Sequence, residues 1–115
     1  MSDVILRRYH FSSIQGEGWA TFVIGSDGYF SAVSDYGNYS YYWPHHGCTD
    51  FRQFLVRAPR DWDYFAKKLN PMRGYAVNKT VAHCVGREVE NFVRKSMGRL
   101  ADTLEAELKQ EGVIQ

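Results

Sequence analysis

The stretch that most constrains the fold is Ser26–Gly47, SDGYFSAVSDYGNYSYYWPHHG, in which turn signals separate short aromatic-rich runs. Asp27-Gly28 predicts a tight hairpin with a primed turn, because glycine adopts positive φ without steric cost. The segment Asp35–Asn38 predicts a second turn, since Gly and Asn tolerate left-handed conformations. Pro44 closes the last run because proline cannot donate to a sheet ladder. Short strands joined by tight turns predict an antiparallel meander rather than βαβ units.

Four strands are predicted in this first half of the chain. Val4–Phe11 and Glu17–Gly25 precede the aromatic stretch, and Tyr29–Ser34 and Tyr39–Trp43 lie within it. Because side chains alternate along a strand, the second strand has two distinct faces. One face carries Trp19, Thr21 and Val23, and the other carries Ala20, Phe22 and Ile24.

The second half changes to helical spacing. Thr49-Asp50 predicts the start of one short helix, and Asp61–Leu69 predicts another, with an acidic first turn and a basic last turn that suit the helix dipole. Asn70-Pro71 ends it, and Asn78 predicts the N-cap of a long final helix, bent near Gly86 or Gly98. Its apolar stripe has three- and four-residue spacing and consists of Val81, Val85, Val89, Phe92, Val93, Met97, Leu100, Leu104 and Leu108.

The predicted fold is therefore α+β: a four-stranded antiparallel β-meander, two short helices and a long C-terminal helix that covers one sheet face. A chain of 115 residues is expected to form one domain over residues 1–115. Within it, residues 1–47 form the sheet, 48–77 the short helices and a loop, and 78–111 the long helix. The predicted core residues are Trp19, Phe22, Phe30, Phe54, Phe65, Phe92 and Leu100.

The length of the final helix predicts self-association. A helix of about thirty residues is about 45 Å long, which exceeds the width of a compact domain of this size. The part beyond Leu100 is then expected to lack cover from its own chain. We therefore expect a homodimer through the C-terminal helix.

Charge excludes two function classes. The formal net charge is +1, although residues 51–79 carry seven basic and two acidic side chains. The chain is neither an acidic DNA mimic nor a strongly basic nucleic-acid binder.

The sequence has no apolar run of the roughly 20 residues that span a bilayer, and the start, MSDVILRRYHF, has no signal-peptide pattern. We expect a cytoplasmic protein of a bacterial host cell, with no membrane partner.

Histidine and cysteine offer little support for chemistry. Cys48 and Cys84 are expected to be free thiols in a cytosolic protein, with Cys84 buried on the long helix. Zinc ligation by the His45-His46-x-Cys48 loop and His83-Cys84 is disfavoured, because adjacent helical residues point about 100° apart. A Cys–His catalytic pair has no recognisable oxyanion hole beside it. We predict no metal, no cofactor and no enzymatic activity.

The aromatic strands leave three alternatives open: cross-strand pairs that only stabilise the sheet, a protein-binding face, and a stacking platform for single-stranded nucleic acid. The absence of Lys and Arg between Arg8 and Arg52 disfavours the platform. Alternation places one set of aromatic side chains under the helices and leaves the other free for a partner. The basic side chains after residue 51 are either solvated or steer an acidic partner. The candidate partner-binding residues are Tyr29, Tyr36, Tyr39, Tyr41, Tyr42, Trp43, Arg52, Arg57 and Arg60.

The segments GYFSAVSDYGNYSYYW, DFRQFL and DYFAKKL, within residues 19–69, resemble a group of small proteins encoded by tailed phages and prophages. The resemblance carries over no catalytic residue. It implies a context in which small proteins inhibit bacterial machinery, including CRISPR-Cas and other defence systems, by binding it. We therefore expect an inhibitor that docks on a bacterial protein through its aromatic surface. The alternative is a small module that binds single-stranded nucleic acid or a nucleotide.

Overall fold

The computed structural model describes residues 3–73 and 78–115, and within these ranges it has a four-stranded antiparallel sheet followed by helices. The strands are β1 (Leu6–Phe11), β2 (Ala20–Gly25), β3 (Tyr29–Ser34) and β4 (Gly37–Tyr42). Each strand pairs with its neighbour in the sequence, as a meander requires. The predicted α+β fold is confirmed.

The helices are α1 (Phe51–Leu55), α2 (Trp62–Leu69), α3 (Lys79–Asn91) and α4 (Met97–Gln110), with a π-helical turn (Phe92–Ser96) joining the last two. The long C-terminal helix is thus confirmed as α3, the π turn and α4. The predicted loop Met72–Val77 lies partly outside the described residues.

Polar side chains cap the starts of α1 and α3, as predicted. Asp50 accepts a hydrogen bond from the Arg52 N–H at 3.0 Å, while the Gln53 side chain accepts one from the Asp50 N–H at 3.1 Å. This reciprocal capping box satisfies backbone donors that a helix start leaves free. Asn78 Oδ1 accepts from the Val81 N–H at 2.8 Å and so caps α3. The sequence therefore located both starts correctly.

The hairpin between β2 and β3 differs from the prediction. Gly28 has φ +103°, but neither Ser26 nor Asp27 has positive φ, so the loop is not a primed two-residue turn. Instead, a three-residue loop is closed by the Gly28 N–H donating to the Gly25 carbonyl at 3.0 Å. A Cβ at position 28 would lie 2.0 Å from the Trp43 carbonyl oxygen. Glycine is required there by both conformation and space.

The core lies between the sheet and the helices. Phe92, in the π turn, has its ring 5.8 Å from that of Phe22 and 4.6 Å from that of Tyr39. The smallest principal extent is 22 Å, which matches one sheet and one layer of helices. Six of the predicted core residues are buried: Phe22, Phe30, Phe54, Phe65, Phe92 and Leu100. Trp19 was expected among them but is 37% exposed, because alternation from β2 turns it to the uncovered face.

The C-terminal half of the long helix was expected to be exposed, but it is the buried half. Leu104 and Leu108 are fully buried, and α4 packs against α1. The prediction that the helix beyond Leu100 lacks intrachain cover is therefore wrong. The exposed part is the first half of α3, where Val81 and Cys84 face solvent, so the prediction of a buried Cys84 is also wrong. The homodimer loses the argument that supported it and stays an untested prediction.

Candidate binding surfaces

One face of the sheet, which we call the open face, has no helix packed against it among the described residues. Strand pairing arranges its side chains in three rows across β1, β2, β3 and β4. The rows are, in strand order, Leu6, Gly25, Tyr29 and Tyr42; Arg8, Val23, Ser31 and Ser40; and His10, Thr21, Val33 and Asn38.

The first row is the most apolar part of the open face. Tyr29 and Tyr42 lie directly opposite each other on neighbouring strands, and they are 42% and 52% exposed. Gly25 lets the side chains on either side approach, since an added Cβ would lie 3.1 Å from Tyr29 Cβ and 3.3 Å from Leu6 Cδ2. Leu6 and the preceding Ile5 are also exposed. This row therefore presents two phenol rings beside an aliphatic edge.

The other two rows are mostly small and neutral. Hydroxyl and amide groups dominate, and the basic side chains Arg8 and His10 both lie on β1. His10 Nδ1 is 2.7 Å from Thr21 Oγ1. A surface of this kind can hydrogen-bond a partner without burying many charges.

The candidate partner-binding residues separate into different places. Tyr29 and Tyr42 lie on the open face, as the alternation predicts, whereas Tyr39 and Trp43 are buried on the covered face. The predicted division of the tyrosines by face is confirmed. Tyr39 and Trp43 form part of the core in this structure and do not contribute to the open face. Tyr36 is half-buried in the turn between β3 and β4, with Lys95 Nζ 5.8 Å from its ring.

Arg52 is buried rather than displayed. Its side chain is bonded to Asp50 Oδ2 at 2.8 Å and to both carboxylate oxygens of Glu111 at 2.8 and 2.9 Å, and it also pairs with Glu107. These hydrogen bonds from Arg52 hold the pKa values of Asp50 and Glu111 below their ordinary values. Arg52 thus links α1 to α4, and its side chain is only 4% exposed. The sequence signal for this network was the pair of carboxylates one turn apart at the end of α4.

Glu107 extends the same network to the sheet. Its carboxylate accepts a hydrogen bond from the Tyr9 hydroxyl at 2.8 Å. Burial, together with this bond, raises the pKa of the Tyr9 phenol. Arg7 Nε lies 3.9 Å from Glu107 Oε1. The network therefore joins β1, α1 and the end of α4.

A second candidate site is a cleft of about 690 Å³ between the loop after β4 and the segment that leads into α2. We call it the arginine cleft. Its floor is formed by the buried rings of Trp43, Phe54 and Phe65. Its sides and rim are formed by His45, His46, Arg57, Arg60, Asp61, Trp62, Asp63 and Tyr64.

The arginine cleft brings together three of the sequence candidates, Trp43, Arg57 and Arg60. Trp62 and Tyr64 were not expected at a site. The signal that marks them is the run Asp61-Trp62-Asp63-Tyr64, in which aromatic and charged residues alternate at the start of α2.

Next to the cleft, Tyr41 lies half-buried beneath two cations. Lys68 Nζ is 5.9 Å from its ring, and Arg73 Nη1 donates to its hydroxyl at 3.3 Å. The hydrogen bond from Arg73 lowers the pKa of the Tyr41 phenol, whereas burial raises that of Tyr39 to about 12. These two tyrosines of β4 therefore differ in both packing and acidity.

The histidines and cysteines stay apart. His46 Nδ1 accepts from the Cys48 N–H at 3.1 Å, whereas His83 and Cys84 lie on the exposed half of α3. Over residues 3–73 and 78–115, no three His, Cys, Asp or Glu side chains are placed to hold a metal ion. None of the helices in that part of the chain is long and apolar enough to cross a membrane.

Of three comparisons with known proteins, one found a match, which is to a protein-family model. Searches of the curated proteins and of the solved structures found no match. A protein-family model described as a phage family matches residues 2–111, which is nearly the whole chain. The chain therefore belongs to this phage family.

Proposed function

We propose that this phage protein works by binding a bacterial protein through the open face, and that binding inhibits a host system such as CRISPR-Cas or another defence. The observation that carries the proposal is the Tyr29–Tyr42 pair, exposed on a sheet face that no described helix covers. The phage family supplies the setting in which such a partner is bacterial.

The composition of the open face supports protein binding. Tyrosine buries a large area at low entropic cost and is enriched among the residues that dominate binding energy. Ser31 and Ser40 form the row next to the two tyrosines, and Asn38 lies in the row beyond it. Tyrosine combined with short hydrogen-bonding side chains is the mixture that antibody binding sites use. Because the strands hold these side chains in register, little ordering is needed on binding.

The charge of the open face favours a protein partner over a nucleic acid. Surfaces that bind single strands combine stacking rings with a groove of Lys and Arg that follows the phosphates. In the three rows of the open face, Arg8 is the one Lys or Arg, and it lies on the edge strand away from Tyr42. The alternative of a single-stranded nucleic-acid platform is therefore weakly supported on this face.

The test compares three proteins as bait: the wild type, the double variant Tyr29→Ala/Tyr42→Ala, and the control Val81→Ala. Val81 is 41% exposed and Tyr29 is 42% exposed, but Val81 lies on α3, outside both candidate binding surfaces. Each bait is incubated with lysate of the host bacterium, once with and once without nuclease treatment, and the captured protein is then purified for affinity measurements. We expect the double variant to bind at least 100-fold more weakly, because each hot-spot tyrosine contributes about 2 kcal/mol. The control should bind like the wild type.

A functional assay completes the test. Expression of the wild type should lower the ability of the host to restrict an infecting phage, and the double variant should not. The proposal is wrong if the double variant, folded like the wild type, keeps full affinity and full activity. If nuclease removes everything that the wild type captures, the nucleic-acid alternative replaces it.

A further inference from the structure

The arginine cleft lies on the helical side of the molecule, so it is not used by the open face. Its volume of about 690 Å³ is within the range of about 300–1,000 Å³ typical of small-molecule sites. Its floor is aromatic and its polar groups are at the rim. A site of this kind accepts a flat ring and orients it through a few polar contacts.

The side walls add groups suited to a ring with polar edges. Tyr64 Oη accepts a hydrogen bond from Trp43 Nε1 at 3.0 Å, so its own proton is directed elsewhere. The Arg94 guanidinium lies over one face of the Trp62 ring, 4.2 Å from the ring centroid. Both rings are therefore held in place before any ligand arrives, which lowers the entropic cost of binding.

The two sides of the cleft differ in charge. Asp63 is 3.1 Å from Lys67, and Asp61 is 3.7 Å from Arg60. Within the described ranges, the Arg57 side chain makes no salt bridge to a carboxylate. Its guanidinium Nη2 donates a hydrogen bond to Cys48 Sγ at 3.5 Å. His45 and His46 lie on the same loop as Cys48. The Arg57 side of the cleft thus suits an anion, and the α2 side presents carboxylates that accept N–H groups.

We infer that the arginine cleft binds a nucleotide, with the base between the aromatic walls and the phosphate at Arg57. A nucleotide joins three features that the cleft complements: a flat ring, a strong anion, and ring-edge N–H donors for Asp61 and Asp63. Base stacking on aromatic side chains and phosphate pairing with arginine are the standard contacts for this ligand. The inference is independent of the proposed function, since it concerns another surface.

The first experiment uses AMP, GMP, CMP and UMP, each titrated into the protein and followed by calorimetry. Tryptophan fluorescence of a Trp19→Phe variant gives a second signal, because the remaining tryptophans, Trp43 and Trp62, line the cleft. We expect at least one nucleotide to bind and to quench this fluorescence. The matching nucleoside and ribose 5-phosphate should each bind at least tenfold more weakly, since each lacks one of the two anchors.

The second experiment tests the assigned residue. Arg57→Gln should weaken nucleotide binding at least tenfold, whereas Arg87→Gln, an exposed arginine on α3 outside the cleft, should leave it unchanged. Thermal unfolding of both variants verifies that each is folded. The inference is overturned if none of the four nucleotides binds at millimolar concentration, if ribose 5-phosphate binds as well as a nucleotide, or if Arg57→Gln binds normally.

A free nucleotide and the 5′ end of a single strand share this chemistry. Comparison of dTMP with a 5′-phosphorylated oligothymidylate distinguishes them. Tenfold tighter binding of the oligonucleotide assigns the cleft to a strand end, and equal or weaker binding assigns it to the free nucleotide.

Discussion

Tyr39 and Tyr42 lie three residues apart on β4, yet one is 6% exposed and the other 52%. The Tyr39 ring packs at a tilt against Phe92, and its hydroxyl donates a hydrogen bond to the Tyr36 carbonyl. Tyr42 faces Tyr29 across the strand pair on the open face. The same residue type therefore stabilises the fold on one face and is available for recognition on the other.

This difference arises from alternation combined with a one-sided layer of helices. Successive side chains of a strand point to opposite faces, so two residues separated by three positions, such as 39 and 42, must lie on opposite faces. Because helices cover only one face in the described structure, the side chains of the other remain in contact with water. Aromatic character by itself does not decide burial in this sheet.

The largest effect is expected at the centre of the covered face. Phe22 is fully buried between β1, β3 and the π turn, so Phe22→Ala should lower the free energy of unfolding by about 3–5 kcal/mol. Urea unfolding monitored by circular dichroism measures the change. A loss below about 1 kcal/mol would mean that the covered face is not the core.

The next prediction compares the two tyrosines directly. Tyr39→Ala should cost about 3 kcal/mol, because it leaves a cavity beside Phe92 and removes a hydrogen bond. Tyr42→Ala should change stability by less than about 0.5 kcal/mol, as is usual for exposed positions. The same unfolding experiment tests both. Equal losses for the two variants would refute the assignment of faces.

A smaller effect is expected on acidification, through Asp50 and Glu111. Their folded pKa values lie below the ordinary values of 3.8 and 4.5, so the unfolded chain takes up protons first as the pH falls. Their stabilising contribution is complete above these values and is lost as the pH falls through the folded pKa values. As the pH is lowered from 6 to 2, the melting temperature should therefore begin to decrease at about pH 4.5. Arg52→Met, although less stable at pH 6, should show a shallower fall, and an unchanged slope would contradict the linkage.

The smallest effect is spectroscopic and concerns two tyrosines of the covered face. Tyr41 should ionise below the ordinary tyrosine pKa because Arg73 donates to its hydroxyl, whereas Tyr39 should ionise near pH 12. An absorbance titration at alkaline pH, repeated on Tyr41→Phe and Tyr39→Phe, assigns the two transitions. In Arg73→Gln the Tyr41 transition should move to higher pH. If it does not move, the hydrogen bond is absent in solution.

Local signals made much of the fold predictable. Turn residues located the hairpins, period-two alternation located β3 without error, and Asp50 and Asn78 located the helix starts. Each of these is decided within a few residues of the chain. The division of tyrosines between faces followed from the same alternation.

Features that depend on distant residues were harder to predict. Trp19 was expected in the core together with Phe22, although alternation puts them on opposite faces and the helices cover only one. Arg52 was expected at the surface because its acidic partners Glu107 and Glu111 lie more than fifty residues away. The arginine cleft depends on how α2 packs beside the loop after β4, which no local pattern specifies.

The long helix was expected to bend near Gly86 or Gly98; its π turn lies between these two glycines, at Phe92–Ser96. Its signal is the exact four-residue spacing of Val89, Val93 and Met97. Four residues of an α-helix turn through about 400°, so such a stripe advances by about 40° at each step. A wider π turn removes part of this drift and keeps the stripe on the core.

The π turn also limits how the length of this protein can change during evolution. Deleting one residue from Phe92–Ser96 would restore a regular helix but rotate α4 by about 100° relative to α3. Leu104 and Leu108 would then leave the core, and Glu107 and Glu111 would leave Arg52. Loops between strands can gain or lose residues at low cost. The segment that joins α3 to α4 is instead a fixed-length spacer, in which substitutions are tolerated more readily than insertions or deletions.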